Sequence, residues 1–307
     1  MSHDNIIFII LVMSAFFSTL AGILFSSIGN ILSPYVLLFL GILLFLNLVK
    51  LETTELLSTF IKPFNLITLS IVKLVVIPLL MYGLALIFYP QDALPILLLS
   101  GISTGLGAPF VANLIRAKLS LIVGTVVTTS IFVPFILPIL VYTLFQSRIS
   151  IPVVDMVILL SLALFVPLVS GAIVKKYTPR IAETLGKKSM APSFALIFFI
   201  NLVIFSKASN YFFINQMFVI NTIIESLILF AVFGVIGYLI SFTVNKDKKT
   251  KFSGFIVMTY INNILVVVLA QQFFGSQIAA LATFYNIPYL IGIIILKKLN
   301  SVPEMRS

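Results

Sequence analysis

The stretch "GISTGLGAPFVANLIRAK", residues 101–118, places three glycines and Pro109 within an otherwise apolar segment. Proline removes a backbone donor and clashes with the preceding turn, so a helix that contains it here is interrupted. Backbone groups freed by an interruption cannot face hydrocarbon, and must therefore line protein or a cavity. The stretch predicts a broken helix if a membrane surrounds it.

The composition of the chain indicates that a bilayer does surround most of it. Of the 307 residues, 61% are hydrophobic and 9% are charged, and the mean hydropathy is +1.22. A soluble protein carries roughly a quarter charged residues. The chain has no cysteine and its one histidine is His3, so disulfides and thiolate metal sites are excluded and we expect no cofactor.

Ten segments are long and apolar enough to cross a bilayer, which takes roughly 20 residues in a helix. Their bounds are 5–27, 31–49, 63–89, 93–115, 119–146, 151–174, 190–208, 216–244, 252–273 and 277–297. The fold class expected from them is an all-α membrane protein with ten transmembrane helices. An even number of spans would place both chain termini on one side of the membrane.

The 19 basic residues test this count, because lysine and arginine collect in cytoplasmic loops. Ten spans put Arg148 and Lys207 on one side and leave Lys73 inside a span. The other 16 share the opposite side: Lys50, Lys62, Arg116, Lys118, Lys175, Lys176, Arg180, Lys187, Lys188, Lys246, Lys248, Lys249, Lys251, Lys297, Lys298 and Arg306. We therefore predict a multi-pass protein of the cell membrane with cytoplasmic termini. The net charge of +10 is then an orientation signal that needs no nucleic-acid partner.

The connection near 147–151 divides the ten spans into two sets of five, residues 1–150 and 151–307. Because five is odd, the second set would be inverted relative to the first, which is a recurring transporter architecture. The fourth span of the first set contains the glycine-rich stretch. Its counterpart, span 9, carries Asn262 and Asn263, whose side chains would point about 100° apart on a helix. Two such amides do not serve one packing contact, which favours a site.

Five segments resemble, in order and spacing, the bile acid:sodium symporter family, including its bacterial members. They are "LLFLGILLFLNLVKLETTEL" (37–56), "KLVVIPLLMYGLAL" (73–86), "STGLGAPFVANLIRAKLSLIVGTVVTTSIFVPFILP" (103–138), "FVPLVSGAIVKKYTPRIAETL" (165–185) and "YINNILVVVLAQQFFGSQIAAL" (260–281). The resemblance implies two inverted repeats, with a core of spans 3–5 and 8–10 that moves against a panel of spans 1, 2, 6 and 7. It also implies that spans 4 and 9 are unwound where they cross.

The resemblance implies two sodium sites beside this crossover, yet most of their ligand positions differ in this chain. The family's serine and asparagine on span 4 fall on Ala108 and Pro109, and its carboxylate and glutamine on span 9 fall on Val257 and Ile261. The next amide, Asn262, is kept. We therefore expect degenerate sodium positions, no metal site and no requirement for sodium.

Two further positions carry the same comparison. The family's hydroxyls on span 5 fall on Ile122 and Val126, with three threonines nearby: Thr125, Thr128 and Thr129. Its glutamine on span 3 falls on Lys73. An ammonium group carries the same charge as sodium, so we hypothesise that Lys73 replaces an ion and holds the unwound carbonyls of span 9.

Lys73 lies too deep to reach water at the membrane surface. It is about 11 residues, or about 16 Å, from the nearer end of its span, and a lysine stem covers about a third of that. Intramembrane ionisable groups face a partner or a cavity. Glu225, the one acid well inside a predicted span, has a similar depth. The residues leave open whether it pairs with Lys73 or whether Lys73 exchanges a proton.

The resemblance implies an amphipathic organic anion as substrate, such as a bile acid, a sulfated steroid or a small carboxylate. The chain would be a secondary transporter working by alternating access with weak or no sodium coupling. A sodium-coupled symporter with altered sites and an auxin-efflux-type carrier are the alternatives. The candidate substrate contacts are Asn262, Asn263, Thr104, Thr259 and Asn113. Asn47 on span 2 and Asn286 and Tyr289 on span 10 are expected to line the panel side. The candidate hinge residues are Gly105, Gly107 and Pro109.

Two other classes fit the residues less well. "GISTG", residues 101–105, matches a serine-hydrolase pattern, but that motif needs a strand, a turn and a histidine with an acid. A channel needs a continuous polar lining through several spans, and most spans here lack one. The same five residues also match G-x-x-x-G, which permits close helix packing. We expect a carrier and not an enzyme, with its oligomeric state open.

Overall fold

The computed structural model describes residues 3–50, 63–105, 107–147, 149–244 and 248–300. Within these ranges the regular structure is helical, and the one β-type contact is an isolated antiparallel bridge. Long apolar runs produce this result, because a helix satisfies every backbone polar group internally in a hydrocarbon environment. The predicted all-α class is confirmed for the described part of the chain.

The helices follow one another with short connections. In chain order they are α1 His3–Leu24, α2 Ser26–Leu32, α3 Val36–Lys50, α4 Pro63–Ile71, α5 Ile77–Phe88, α6 Ala93–Gly101, α7 Ala108–Ile115, α8 Leu119–Phe145, α9 Val153–Tyr177, α10 Pro179–Lys188, α11 Met190–Ile214, α12 Gln216–Val244, α13 Lys248–Thr259, α14 Asn263–Phe273, α15 Ser276–Phe284 and α16 Asn286–Asn300. A π-helical turn, Val72–Val76, joins α4 to α5.

Seven helical stretches among the described residues are long and apolar enough to cross a membrane. They are Ser26–Val49, Phe64–Phe88, Leu119–Phe145, Val153–Tyr177, Met190–Ile214, Gln216–Ser241 and Ser276–Leu296. These stretches coincide with predicted spans 2, 3, 5, 6, 7, 8 and 10. Predicted span 1 corresponds to α1, and predicted spans 4 and 9 are each divided into two shorter helices. The chain is a multi-pass membrane protein, and the count of ten spans stays a prediction.

The chain divides into two compact units. One consists of Met1–Leu51 and Leu162–Asn221, and the other consists of Glu52–Ser161 and Thr222–Ser307. This division follows contacts between residues. The predicted repeats, 1–150 and 151–307, concern internal symmetry and remain a prediction.

The first unit contains a closely packed helix pair, α1 and α11. Gly22 of α1 lies so near α11 that a Cβ atom there would be 2.5 Å from the carbonyl oxygen of Leu202. Gly29 of α2 likewise faces Ser206 of α11. Lipid tails are as apolar as the side chains they would displace, so helices associate through close packing at small residues.

The second unit has an aromatic cluster around Phe230. This cluster positions Tyr260, which lies where predicted span 9 is interrupted. Phe230 of α12 contacts the rings of Phe255, Tyr260 and Tyr285, with centroids 6.0, 5.8 and 5.8 Å away. The contact with Tyr260 is edge-to-face, at an interplanar angle of 87°. Such arrangements are favoured by the ring quadrupole. They fix Tyr260 where the helix ends.

Candidate functional site

Two helices are interrupted in the second unit, in predicted spans 4 and 9. In the first, α6 ends at Gly101 and α7 begins at Ala108; in the second, α13 ends at Thr259 and α14 begins at Asn263. Pro109 occupies the first turn of α7. Its missing N–H would have no intrahelical partner there, so the proline starts the second half-helix.

The two interruptions pair with each other through their backbones. Thr104 and Ile261 form the antiparallel bridge at the centre. Two hydrogen bonds flank it, from Gly105 N to the Tyr260 carbonyl at 2.8 Å and from Asn262 N to the Ser103 carbonyl at 3.0 Å. A buried backbone group without a partner costs about as much as a lost hydrogen bond. The two bonds therefore satisfy four backbone groups that the two helix breaks would otherwise leave without partners. We call residues 102–105 and 260–262 the crossover.

Gly105 is required at the crossover for steric reasons. A Cβ atom there would lie 2.6 Å from the carbonyl oxygen of Ile261 and 3.1 Å from the amide nitrogen of Asn262. Both atoms belong to the backbone and cannot move aside as a side-chain end would. At Gly107, a Cβ atom would collide with the hydroxyl of Tyr289. Both predicted hinge glycines thus have a packing reason, while a hinge motion remains a prediction.

Thr104 ties the crossover to two neighbouring segments. Its hydroxyl donates to the carbonyl of Val257 at 3.0 Å. Its backbone N–H donates to the hydroxyl of Thr129 on α8 at 3.1 Å, and that hydroxyl in turn donates to the carbonyl of Thr125 at 2.6 Å. Thr104, Thr125 and Thr129 are buried. The structure thus brings together three threonines that the sequence suggested separately.

Predicted span 10 holds the other side of the crossover. The hydroxyl of Tyr285 donates to the carbonyl of Thr259 at 3.0 Å. The side-chain amide of Asn263 donates to Asn286 Oδ1 at 2.8 Å. Asn262 and Asn263 are buried, at 7% and 4% exposure. The paired amides therefore lie at the start of α14, where the helix resumes.

Lys73 belongs to the turn Val72–Val76, and its buried side chain contacts the C-terminal end of α6. Its side chain is 1% exposed, and its ammonium group donates to the Ser100 carbonyl at 2.6 Å. The ammonium also lies 5.9 Å from the ring centroid of Phe233. Ser100 precedes the last residue of α6, so its carbonyl has no intrahelical partner and belongs to the negative end of the helix dipole. Lys73 thus contacts span 4, whereas we expected it to hold carbonyls of span 9.

The position of Lys73 follows from a local change in helix geometry. Pro78 has no N–H, and its ring would clash with the carbonyl of Leu74 in a regular helix. The helix instead widens into the π-helical turn Val72–Val76, which contains Lys73. Such turns are rare and frequently lie at functional sites.

Glu225 does not join Lys73. Within the described chain the two side chains form no ion pair: Lys73 donates to Ser100, and Glu225 Oε1 is buried without a hydrogen-bond partner. The carboxylate of Asp92, which directly precedes α6, lies within electrostatic range of Glu225. The Lys73–Glu225 pair considered from the sequence is not formed in this structure.

The remaining candidates have varied positions. Asn113 is exposed on α7, and Thr128 is half-buried on α8. The positions that align with sodium ligands are buried and offer no side-chain oxygen: Ala108, Pro109, Ile122, Val126, Val257 and Ile261. The carbonyl of Val257 is already the acceptor for Thr104.

Sequence reasoning missed four residues of the site. Ser100 accepts from Lys73, and Tyr285 donates to Thr259. The hydroxyls of Ser103 and Tyr260 are buried without a partner in the described structure. Ser100 could have been predicted from the sequence, because it directly precedes Gly101, the first glycine of the predicted break. A carbonyl at the end of a helix has no intrahelical donor and needs another one. No periodicity or motif marks Tyr285.

A family model, described as the sodium bile acid symporter family, matches residues 37–215. The match covers more than half of the 307 residues. It includes Lys73 and the interruption in span 4, and it ends before the interruption in span 9. No curated protein matched the chain.

Proposed function

This chain belongs to the sodium bile acid symporter family, and on that premise we propose that it is a secondary transporter of an amphipathic organic anion with weak or no sodium coupling. The observation that carries the coupling part is the buried ammonium of Lys73 at the end of α6, 2.6 Å from the Ser100 carbonyl. The family name supplies the transporter class. The local geometry around Lys73 is the reason to propose that transport is not coupled to sodium.

The transport mechanism we propose is alternating access on two inverted five-helix repeats. Spans 4 and 9 occupy equivalent places in the two repeats, and both are interrupted. Discontinuous helices near the midplane commonly form substrate and ion sites in transporters of this architecture. The compact unit that holds both interruptions also holds α4 to α8, most of α12, and α13 to α16, together with residues 153–161 at the start of α9. This grouping supports a core made of spans 3–5 and 8–10.

The substrate we propose is an anion because two half-helices begin at the crossover. The start of each half-helix carries the positive end of a helix dipole. In α7 the Ala108 N–H already donates to the Gly105 carbonyl at 3.0 Å and Pro109 has no N–H, so the donors we propose are those at the start of α14. Asn262 and Asn263 lie at the start of α14 and can donate further hydrogen bonds. Apolar helix surfaces around these donors suit the hydrocarbon part of an amphipathic molecule.

Side-chain donors of this chain already bond to backbone carbonyls beside the crossover. A sodium ion at such a site binds several oxygens, including unwound backbone carbonyls. Three carbonyls beside the crossover accept hydrogen bonds from side chains: Ser100 from Lys73, Val257 from Thr104 and Thr259 from Tyr285. The aligned ligand positions provide no carboxylate. Of the three donors only Lys73 can carry a positive charge, and we propose that it takes the place of one ion.

Lys73 is a poor choice for stability, which favours a functional reason for it. Desolvating an ammonium costs several kcal/mol. A hydrogen bond to a charged group contributes about 1.5–3 kcal/mol, and a cation over an aromatic face about 0.5–2 kcal/mol. These two favourable contacts together at most offset the desolvation cost of the ammonium. A leucine would fill the same volume at no such cost, so the charge itself is the useful property.

Transport by the purified protein in proteoliposomes tests the proposal. Labelled cholate, a sulfated steroid and a small carboxylate serve as probes, with sodium, potassium or choline outside, at two pH values. We expect saturable, counter-transported uptake of at least one anion that is unchanged when choline replaces sodium. Strong sodium stimulation would overturn the coupling part and leave a symporter. Flux without saturation would indicate a channel.

The orientation we propose is a cell-membrane protein with cytoplasmic termini. Because the chain has no cysteine, one introduced cysteine is a unique label. Thr184→Cys on α10 is expected to resist an impermeant maleimide in intact cells, while Gln146→Cys after α8 is expected to react. The opposite pattern would invert the orientation, and reaction of both would break the span count.

A further inference from the structure

Helix α10 is held at the membrane surface by its connections. It begins at Pro179, after α9 ends at Tyr177, and it ends at Lys188, before α11 begins at Met190. One residue on each side, Thr178 or Ser189, therefore separates α10 from a helix long and apolar enough to span the membrane. Linkers this short cannot carry α10 away from the bilayer.

The faces of α10 differ sharply in character. At 100° per residue, Ala182, Leu185 and Ser189 share one face, which the burial of Ala182 and Ser189 marks as the packed side. Packing of α10 against α3 of the same unit accounts for that side. The opposite face carries Arg180 and Lys187, both exposed. The helix is thus amphipathic, with an exposed basic face.

The basic face continues onto the end of α9 and carries a large positive charge. Residues 175–188 contain five basic side chains and one acid, Glu183. Glu183 is bound to Lys187 at 2.5 Å, in an exposed i,i+4 pair. Arg180 and Lys188 are exposed, and Lys176 lies over the Tyr177 ring at 5.3 Å. Glu183 therefore pairs with Lys187, and the exposed Arg180 and Lys188 lie outside that pair.

Exposed apolar side chains accompany these charges. Tyr177 is 70% exposed, and Ile181 is 55% exposed at the border between the packed and basic faces of α10. The preference of basic residues for cytoplasmic loops explains the charge. It does not explain an aromatic ring and an isoleucine left uncovered beside it. A basic surface edged with apolar side chains at a bilayer interface matches anionic lipids.

We propose that α10 and the end of α9 form a binding site for the headgroup of an anionic phospholipid. Arg180 and Lys188 bind the phosphate, since the guanidinium fork suits two phosphate oxygens. Tyr177 and Ile181 enter the boundary between headgroups and acyl chains. This site lies in the first compact unit and does not depend on the transported substrate.

Lipid binding to the purified full-length chain tests the site. The protein in detergent is titrated with phosphatidylglycerol or with phosphatidylcholine of the same acyl chains, and bound lipids are counted by native mass spectrometry. We expect phosphatidylglycerol to bind about tenfold more tightly or better, and this preference to fall as salt rises. The double variant Arg180→Gln/Lys188→Gln is expected to lose the preference.

A matched control removes the same charge elsewhere on the same predicted side. Arg116→Gln/Lys249→Gln changes two exposed basic residues outside α10 and is expected to keep the preference. Ile181→Gln is expected to weaken both lipids alike, because the apolar contact does not distinguish headgroups. Circular dichroism establishes that each variant is folded. Equal binding of the two lipids by the unaltered chain, or equal loss in both double variants, would overturn the proposal.

Discussion

At two glycines of this protein an added Cβ atom would lie at nearly the same distance from a backbone carbonyl oxygen. One glycine lies between two continuous helices, and the other lies between two broken ones. A Cβ atom at Gly22 would be 2.5 Å from the Leu202 oxygen, and one at Gly105 would be 2.6 Å from the Ile261 oxygen. Around Gly22 both helices are continuous, and glycine only brings them close. Around Gly105 both helices are broken, and their backbones bond to each other.

The difference shows that a steric clash alone does not distinguish a scaffold from a site. In the helix pair, no backbone hydrogen bond between described residues joins α1 to α11, so separating these two helices loses packing alone. At the crossover the hydrogen bonds themselves join the two segments. Separating them exposes backbone groups in the membrane, where each costs several kcal/mol. Matched substitutions in the two regions should therefore have different consequences.

Gly105→Ala is expected to have the largest effect. The new methyl group presses on Ile261 and Asn262, and relief requires the bridge to open. Uptake should fall by about 30-fold or more, with an unfolding cost of about 1–3 kcal/mol. Proteoliposome uptake and thermal unfolding measure the two quantities.

Gly22→Ala is the control, because its methyl group meets a carbonyl at the same distance. A similar unfolding cost with uptake within about twofold of the unaltered protein is expected. If Gly22→Ala abolished uptake as Gly105→Ala does, the distinction between the two regions would be lost.

Lys73→Met is expected to reduce uptake by about tenfold without unfolding the protein. Methionine fills the space and removes a buried charge, but it leaves the Ser100 carbonyl without its donor. Because the loss of one bond and the relief of desolvation oppose each other, the change in unfolding free energy should stay within about 1–2 kcal/mol. Uptake and unfolding are measured on the same preparation. Full activity in Lys73→Met would show that the charge is dispensable.

Thr104→Val is expected to have an intermediate effect. Valine keeps the shape of threonine and removes the hydroxyl that donates to Val257, 153 residues along the chain. The buried carbonyl left behind costs about 1–3 kcal/mol, and uptake should fall about fivefold. Thr178→Val, which removes an exposed hydroxyl bond to the Val174 carbonyl at the end of α9, is the control and should change neither quantity.

Glu225→Gln is expected to have the smallest effect, less than about threefold on uptake, because Glu225 makes no ion pair with Lys73 and its Oε1 has no hydrogen-bond partner. Measurement of uptake at two pH values gives this test its sharpest form. A loss of transport that also removed a pH dependence would assign proton coupling to Glu225.

The sequence predicts one of the two helix interruptions much more directly than the other. The break in span 4 can be predicted from Gly105, Gly107 and Pro109, because glycine and proline interrupt a helix at their own positions. Span 9 has no glycine or proline at its break, and its identity as a broken helix came from resemblance alone. Thr104 and Tyr285, from distant parts of the chain, stabilise that break. Such tertiary causes leave no mark on the segment itself.

Lys73 illustrates a second limit. Its depth in the membrane follows from counting residues, and its burial was expected on that basis. Its partner did not follow, because the π-helical turn Val72–Val76 changes the direction in which side chains leave the helix. A count at 3.6 residues per turn cannot anticipate this. The acceptor on α6 therefore appeared only in the folded chain.

The replacement of sodium by Lys73 is tested most directly by thermal unfolding of the purified protein in sodium chloride and in choline chloride at equal ionic strength. An ion that binds the folded state alone stabilises it by about 2.7 kcal/mol at one hundred times its dissociation constant. We expect the same melting temperature in both salts, because the Ser100, Val257 and Thr259 carbonyls already have donors. A saturable rise in melting temperature with sodium would contradict the replacement.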